Sequence, residues 1–434
     1  MDPEFKPFTV PSFTPEQQQA LHSKLDAAIF PNELEQDVGW SYGAPTWAVQ
    51  NMIKEWLNYD FEEARKEMNQ WHHYRTQIDG LKIHFVHEPS PQPDAIPILL
   101  LHGWPSSFYE FHKIIAPLRD GDDGNQDTET TWDETRKSSF SRLQAFHVVV
   151  PSLPGFGFSE APKKPGYGVA KMAYIVNQLM IKLGYTRYVL HGGDWGAIIG
   201  KWIATRYSDH CRAFHTNLPF SLPPLPTPRN LIFYPFKIAK FFGSLVLGFD
   251  RVYGQGKTKL GGATFANAEW NYDCGYRAIQ GTRPYTLAFG LTDSPIGLLA
   301  WLLEKYHEWT YHLPEKQDTE ALPETITPHE FLTQVTLYWM TNTISSSIRI
   351  YYECLHQKEI FKVVFPRVKV PVAVCAFAHD ISRLPRDWLE TSTNLHQYSE
   401  MISGGHFPAL EENTLLQHDL QRFGQLLKSK QLLP

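Results

Sequence analysis

An aspartate set in a glycine-rich turn is the first group in this chain that could do covalent chemistry. In Val189-Leu190-His191-Gly192-Gly193-Asp194-Trp195-Gly196 a short apolar run enters Gly-x-Asp-x-Gly. Ile198, Ile199, Trp202 and Ile203 follow as an apolar stripe of helical spacing. A strand, a tight turn and a helix in that order form a nucleophile elbow, with Asp where Ser is commoner. Such a turn strains its central residue, and glycines on either side keep side chains out of the close strand–helix contact. The helix N-terminus behind it favours a negative charge. Taken alone, Gly-x-Asp-x-Gly is a common turn, so the partners decide.

Those partners occur in a consistent order. Asp380 ends the run Val372–Ala378 plus His379, and His406 lies in Ser403-Gly404-Gly405-His406-Phe407-Pro408. Nucleophile, acid and histidine thus follow one another as they do behind an elbow of this kind. Asp387 and the neighbouring His379 are the fallback candidates. Upstream, His102-Gly103-Trp104-Pro105 follows the apolar run Ile96–Leu101. A loop in that slot supplies one backbone N–H of an oxyanion hole, and the residue after the nucleophile supplies the other. This assigns the hole to the N–H groups of Trp104 and Trp195, with His102 read as a structural turn residue.

A carboxylate nucleophile does different work from a serine. It attacks an electrophilic sp³ carbon and forms an alkyl ester with the enzyme. Water activated by His406, itself oriented by Asp380, would then attack that ester, so the oxyanion develops on Asp194. A free aspartate is ionised at pH 7 and needs no base for the first step. Two leaving groups suit such a displacement. A halide needs N–H donors, whereas the oxygen of a strained epoxide needs a proton donor such as a tyrosine hydroxyl.

The surrounding sequence supplies the scaffold. Ile96–Leu101, Phe146–Val150, Tyr188–Leu190, Ala213–Asn217, Pro371–Ala378 and His396–Ile402 are short apolar runs with helical patterns between them. Such runs suit strands covered on both faces of a parallel sheet. Residues 13–75 read as helices, with Thr14-Pro15-Glu16 a helix start. Trp71–Ile78 and Leu81–His87 flank Asp79-Gly80 as a hairpin. Residues 119–139 are polar and acidic and read as an exposed excursion. Residues 218–356, Pro-rich and then helical and aromatic, read as a lid over the site. The division expected is 1–90, 91–217, 218–356 and 357–434.

Composition removes several other functions. The net charge is −6 and no Lys/Arg tract stands out, so nucleic-acid binding has no electrostatic support. Cys211, Cys274, Cys354 and Cys375 are scattered without metal-ligand spacing and read as reduced thiols. His72-His73 would face opposite ways on a strand, so neither metal nor cofactor is expected. The N-terminus is neither signal peptide nor anchor, and Leu231–Phe249, broken by Lys237 and Lys240, reads as lid helix rather than a membrane span. Absence of Asn-x-Ser/Thr fits an intracellular, cytoplasmic setting. For assembly the expectation is a homodimer.

His102-Gly103-Trp104-Pro105, Pro151-Ser152-Leu153-Pro154-Gly155-Phe156-Gly157-Phe158-Ser159, Gly192-Gly193-Asp194-Trp195-Gly196 and Gly404-Gly405-His406-Phe407 resemble the epoxide hydrolases, microsomal type and soluble fungal relatives. The resemblance spans nearly the whole chain. It implies an α/β-hydrolase fold, with a mostly parallel sheet, a helical lid and a helical N-terminal extension. It also implies that apolar aryl or alkyl epoxides are converted to diols with water and no cofactor. Gly275-Tyr276-Arg277-Ala278-Ile279-Gln280-Gly281-Thr282-Arg283-Pro284 and Ser346-Ser347-Ile348-Arg349-Ile350-Tyr351-Tyr352-Glu353 resemble the segments carrying the ring-opening tyrosines, which implies Tyr276 and Tyr351. The chain departs from the family in lacking a hydrophobic anchor, in using Asp where some relatives use Glu as the acid, and in the length of its acidic stretch. A haloalkane dehalogenase is the nearest rival, and a non-catalytic lipophile-binding protein is the rival of another class. A Ser-type esterase would need a Gly-x-Ser-x-Gly elbow, which no apolar run here precedes.

Overall fold

The computed structural model describes residues 4–122, 143–254, 259–260 and 275–433. Residues 123–139 of the acidic stretch and Cys274 lie outside them.

Each of the six apolar runs forms a strand, and three further strands precede them in the chain. In order these are β1 (Lys6–Phe8), β2 (His73–Ile78), β3 (Leu81–Glu88), β4 (Ile96–Leu101), β5 (Phe146–Pro151), β6 (Tyr188–Gly192) and β7 (Cys211–Thr216). A two-residue β8 (Lys259–Leu260) comes next, then β9 (Pro371–Ala376), a two-residue β10 (Ser382–Arg383) and β11 (Asn394–Glu400). Nine of them make one sheet in the order β1-β2-β3-β5-β4-β6-β7-β9-β11, and β8 pairs with β10 alone. From β5 to β11 every pairing is parallel, while β1, β2 and β3 add on antiparallel.

The apolar runs lack alternation because both sheet faces are covered. Leu99 and Leu101 of β4 belong to one core, with Ile175, Leu179, Ile199 and Ile203 from helices Val169–Lys182 and Asp194–Arg206. Ile98 and Leu100 of β4 belong to the other, with Ile114, Leu118, Leu416 and Phe423 from helices His112–Asp120 and Asn413–Ser429. Adjacent residues on a strand point to opposite faces, so one run feeds two cores.

The start of the chain differs from the expectation in two respects, the first being that residues 27–45, read as part of a helical stretch, contain no helix. The helix at Pro15–Asp26 begins where expected, with Thr14 and Gln17 forming a capping box. The Asp79-Gly80 turn has φ of 53° and 78°, the double positive φ that tightens a two-residue hairpin. However, Lys6–Phe8 is an unexpected strand on the sheet edge, antiparallel to β2. Three residues carry no period to read, and Pro7 suits only an edge. The Arg75 guanidinium, 4.0 Å from the Phe8 ring centroid, helps to hold it there.

Between β7 and β9 most of the described chain is helical. Pro228–Phe233, Pro235–Leu247, Gly275–Thr282, Pro284–Asp293, Pro295–Glu308, Pro328–Thr341 and Arg349–His356 are its main helices. The N-terminal helices fasten onto this insertion. The Trp56 indole donates to Thr336 at 2.9 Å, and Tyr59 and Thr333 share a hydroxyl hydrogen bond of 2.7 Å. Helix Pro235–Leu247 buries Ile238 and Phe241 but exposes Phe236 and Val246. Among the described residues no single helix is long and apolar enough to cross a membrane.

Candidate active site

Asp194 opens helix Asp194–Arg206 directly after β6, with Gly193 between them as N-cap. Its φ is 46°, a left-handed value that costs a non-glycine residue about 1 kcal/mol or more. The glycines around it are required by close approach. A Cβ on Gly196 would lie 2.0 Å from the Leu101 carbonyl oxygen, and one on Gly192 would lie 2.3 Å from the carbonyl oxygen of Gly196. Gly103 is as constrained, because its Cβ would lie 2.2 Å from Asp194 Oδ1. The elbow therefore depends on three glycines from two strand ends. The Asp194 side chain keeps 15% of its surface exposed, so a small molecule can reach it.

The Trp104 N–H donates to Asp194 Oδ1 at 2.8 Å. The other expected hole donor, the Trp195 N–H, follows Asp194 in the helix but makes no hydrogen bond to the carboxylate in this state. His102 does no more than hold the turn. Its Nδ1–H donates to the Gly103 carbonyl at 3.0 Å, and its Nε2 accepts the Leu153 N–H at 3.2 Å. Burial pushes it down to about 4, which keeps the ring neutral.

His406 and Asp380 meet behind Asp194, both with fully buried side chains. His406 Nδ1 lies 2.8 Å from Asp380 Oδ1. The carboxylate can only accept, so Nδ1 carries the proton. Asp380 is itself held by the Ile381 N–H at 2.7 Å on Oδ1 and the Asn217 amide at 3.0 Å on Oδ2. His406 Nε2 stands 3.3 Å from Asp194 Oδ2, an ion-pair distance without the alignment of a hydrogen bond. Burial disfavours the charged ring, but the charges and contacts of Asp380 and Asp194 outweigh it and push His406 up to about 10. The fallback acid, Asp387, instead pairs with Lys240 on the surface.

The insertion brings both expected tyrosines to this point. Tyr276 on Gly275–Thr282 and Tyr351 on Arg349–His356 are buried, with ring centroids 5.9 Å apart. Tyr276 stacks on Trp104 at 5.5 Å, and Tyr351 meets the edge of Trp195 at 4.7 Å. Both rings thus pack on the two residues whose N–H groups were expected to form the hole. The Tyr351 hydroxyl is buried without a hydrogen-bond partner among the described residues. Burial, followed by the nearby Tyr276 and Asp194, raises its pKa well above the usual tyrosine value, so it stays a donor. Tyr352 is 37% exposed and stacks on His356, pointing away as the helical repeat requires.

Two buried glutamates beside the triad were not anticipated. Burial pushes Glu110 up to about 7, against a hydrogen bond from Ser106. Burial also pushes Glu411 up to about 7, against three backbone N–H donors. A charge inside the aromatic run Phe108-Tyr109-Glu110-Phe111 was the available signal for the first. For the second, nothing in Leu410-Glu411-Glu412 tells which glutamate turns inward. Among the described residues no group of His, Cys, Asp and Glu could hold a metal ion.

Comparison with known proteins gives the family and the fold. Residues 5–111 match the family described as epoxide hydrolase N terminus, and residues 96–253 match the alpha/beta hydrolase fold. Epoxide hydrolase 1 of Sus scrofa is 33% identical over 440 residues, covering 99% of this chain and 90% of that protein. The juvenile hormone epoxide hydrolase of the silkworm Bombyx mori superposes with a TM-score of 0.78 at 31% identity, covering 98% of this chain and 95% of that one. The Aspergillus niger epoxide hydrolase superposes with a TM-score of 0.73 at 30% identity, covering 97% and 96%. Shared identity of this extent over nearly the full length, on the same fold, places the chain in the epoxide hydrolase family.

Proposed function

We propose that this epoxide hydrolase opens apolar aryl or alkyl epoxides at Asp194 and releases the vicinal diol with water activated by His406. One observation carries the reading. A partly exposed carboxylate on a strained elbow lies between a buried His–Asp pair and two buried tyrosines. Asp194 Oδ1 is held by the Trp104 N–H, which leaves Oδ2 to attack a ring carbon. As that C–O bond forms, the ring C–O bond breaks, and the epoxide oxygen takes a proton from Tyr276 or Tyr351. The remaining ester carbonyl is Oδ1, already at an N–H donor, and negative charge develops there when water attacks.

The same arrangement times the base. In the free enzyme the Asp194 charge helps to hold the proton on His406. Esterification removes that charge, so the imidazole pKa falls, its Nε2 proton passes to the tyrosinate left by ring opening, and Nε2 can then take a proton from water. Asp380 then stabilises the imidazolium.

The dehalogenase alternative needs a second N–H donor, and the Trp104 indole nitrogen, buried without a partner among the described residues, is a candidate. Paired tyrosines beside Asp194 and membership of the family favour epoxide opening. Residues 218–356 act as the lid in this reading. A cytoplasmic setting and a homodimer are parts of the same proposal, to be checked by fractionation and light scattering.

Tyr276→Phe and Tyr351→Phe provide the test. Each single change should leave activity within about tenfold, because one donor remains, while the double change should cost about 10³-fold in the alkylation rate. Two mild effects that simply multiply would mean that the donors are misassigned.

A further inference from the structure

Glu411 takes no part in the steps above, yet its carboxylate accepts three backbone N–H groups around His406. It ends the short helix Pro408–Glu411 and is 5% exposed. Its Oε2 accepts the N–H of Gly405 at 2.9 Å and that of Tyr311 at 2.9 Å, and its Oε1 accepts the N–H of Phe407 at 3.0 Å. Gly405 and Phe407 are the two chain neighbours of His406. The His406 N–H itself donates to the Trp309 carbonyl at 2.7 Å. Three consecutive peptide N–H groups centred on the histidine are therefore fixed, two of them by one carboxylate.

The other ends of these bonds lie in the insertion. Trp309 and Tyr311 follow helix Pro295–Glu308, and the Trp309 ring lies 5.1 Å from the His406 ring and 5.2 Å from Tyr276. The contact is tight, since a Cβ on Gly405 would lie 2.3 Å from the Trp309 carbonyl oxygen. Burying a carboxylate costs several kcal/mol unless it is hydrogen-bonded, and three N–H donors offset that cost. A packing role alone would be served better by an apolar side chain in this slot.

We propose that Glu411 is a positioning residue for the hydrolytic half of the reaction, bracing the His406 loop against the segment that follows the Pro295–Glu308 helix. Ring opening needs Asp194 and the tyrosines and does not draw on this brace. Hydrolysis needs His406 Nε2 within hydrogen-bond reach of a water, and an error of about 1 Å there costs about 10²-fold. The inference rests on His406 being the base.

The test separates the two half-reactions in Glu411→Gln by rapid quench and intact-protein mass. Gln keeps the shape but turns an amide NH₂ toward an N–H donor. The alkylation constant should stay within about threefold, while the hydrolysis constant falls about 10²-fold, so that alkyl-enzyme accumulates during turnover. Glu411→Asp, which keeps the charge on a shorter arm, should recover part of the hydrolysis rate. An equal fall in both constants, or no change in either, would overturn the proposal. Should neither variant fold, amide exchange in the native enzyme still decides. The Gly405 and Phe407 amides should be as protected as those of the central strand β4, and rapid exchange would refute the brace. His406→Gln run in parallel keeps the outcomes apart. If it traps the ester and Glu411→Gln does not, only this inference fails.

Discussion

Asp194→Ala is expected to reduce epoxide turnover on the order of 10⁵-fold, about 7 kcal/mol of barrier, with no covalent adduct detectable by mass. The size follows from the site. Among the described residues the carboxylate is the only group placed both against the Trp104 N–H, at 2.8 Å, and against His406, at 3.3 Å to Nε2. The variant should fold, because the substitution only removes atoms from a side chain that is partly exposed. Alanine at a φ of 46° retains the backbone strain, so a small loss of thermal stability is compatible with the account. Activity near that of the parent, measured with a simple aryl epoxide, would remove the mechanism.

His406→Gln should separate the steps rather than abolish both. Alkylation proceeds from Asp194 and the tyrosine hydroxyls, so the protein should gain the mass of the epoxide. Hydrolysis should fall by about 10³-fold, the contribution of a positioned general base. An unmodified protein after incubation would count against the assignment. The parent enzyme adds a pH signature. Esterification takes away the Asp194 charge that helps push His406 up to about 10, so the intermediate titrates lower than the free enzyme. Protonation at acid pH then leaves no base, and the hydrolysis constant should fall as pH drops through that value while alkylation persists. Stopped-flow measurement of the two constants across pH checks the sign.

How much of this was legible before the structure depended on whether a local signal existed. Ile96–Leu101 is a strand with the same ends as its apolar run, because both of its faces are buried and both ends meet turn residues. The run read at His396–Ile402 forms a strand two residues earlier, at Asn394–Glu400, where only one residue is fully buried and the pattern is weak. Asp194, Asp380 and His406 could be read because each closes an apolar run in a loop of small residues. They meet through parallel pairing of β6, β7, β9 and β11. Tyr276 and Tyr351 carried no local mark among twenty tyrosines. Only the resemblance of their segments singled them out, since their proximity comes from packing of two helices far apart in sequence. Glu411 was missed for the same reason, whereas Glu110 did carry a local mark, a charge inside an aromatic run. A buried carboxylate is specified by the N–H and O–H groups that converge on it in space, and such convergence leaves no spacing to read.

Oxygen labelling tests the central claim most directly, that Asp194 bonds to carbon. With enzyme in excess over an aryl epoxide in ¹⁸O-water, a single turnover should give diol whose added oxygen is unlabelled, drawn from the Asp194 carboxylate, with the label appearing in the protein. Repeated turnovers should then label the diol. A fully labelled diol in the first turnover, with unlabelled protein, would mean that water attacks the ring directly and would contradict the account.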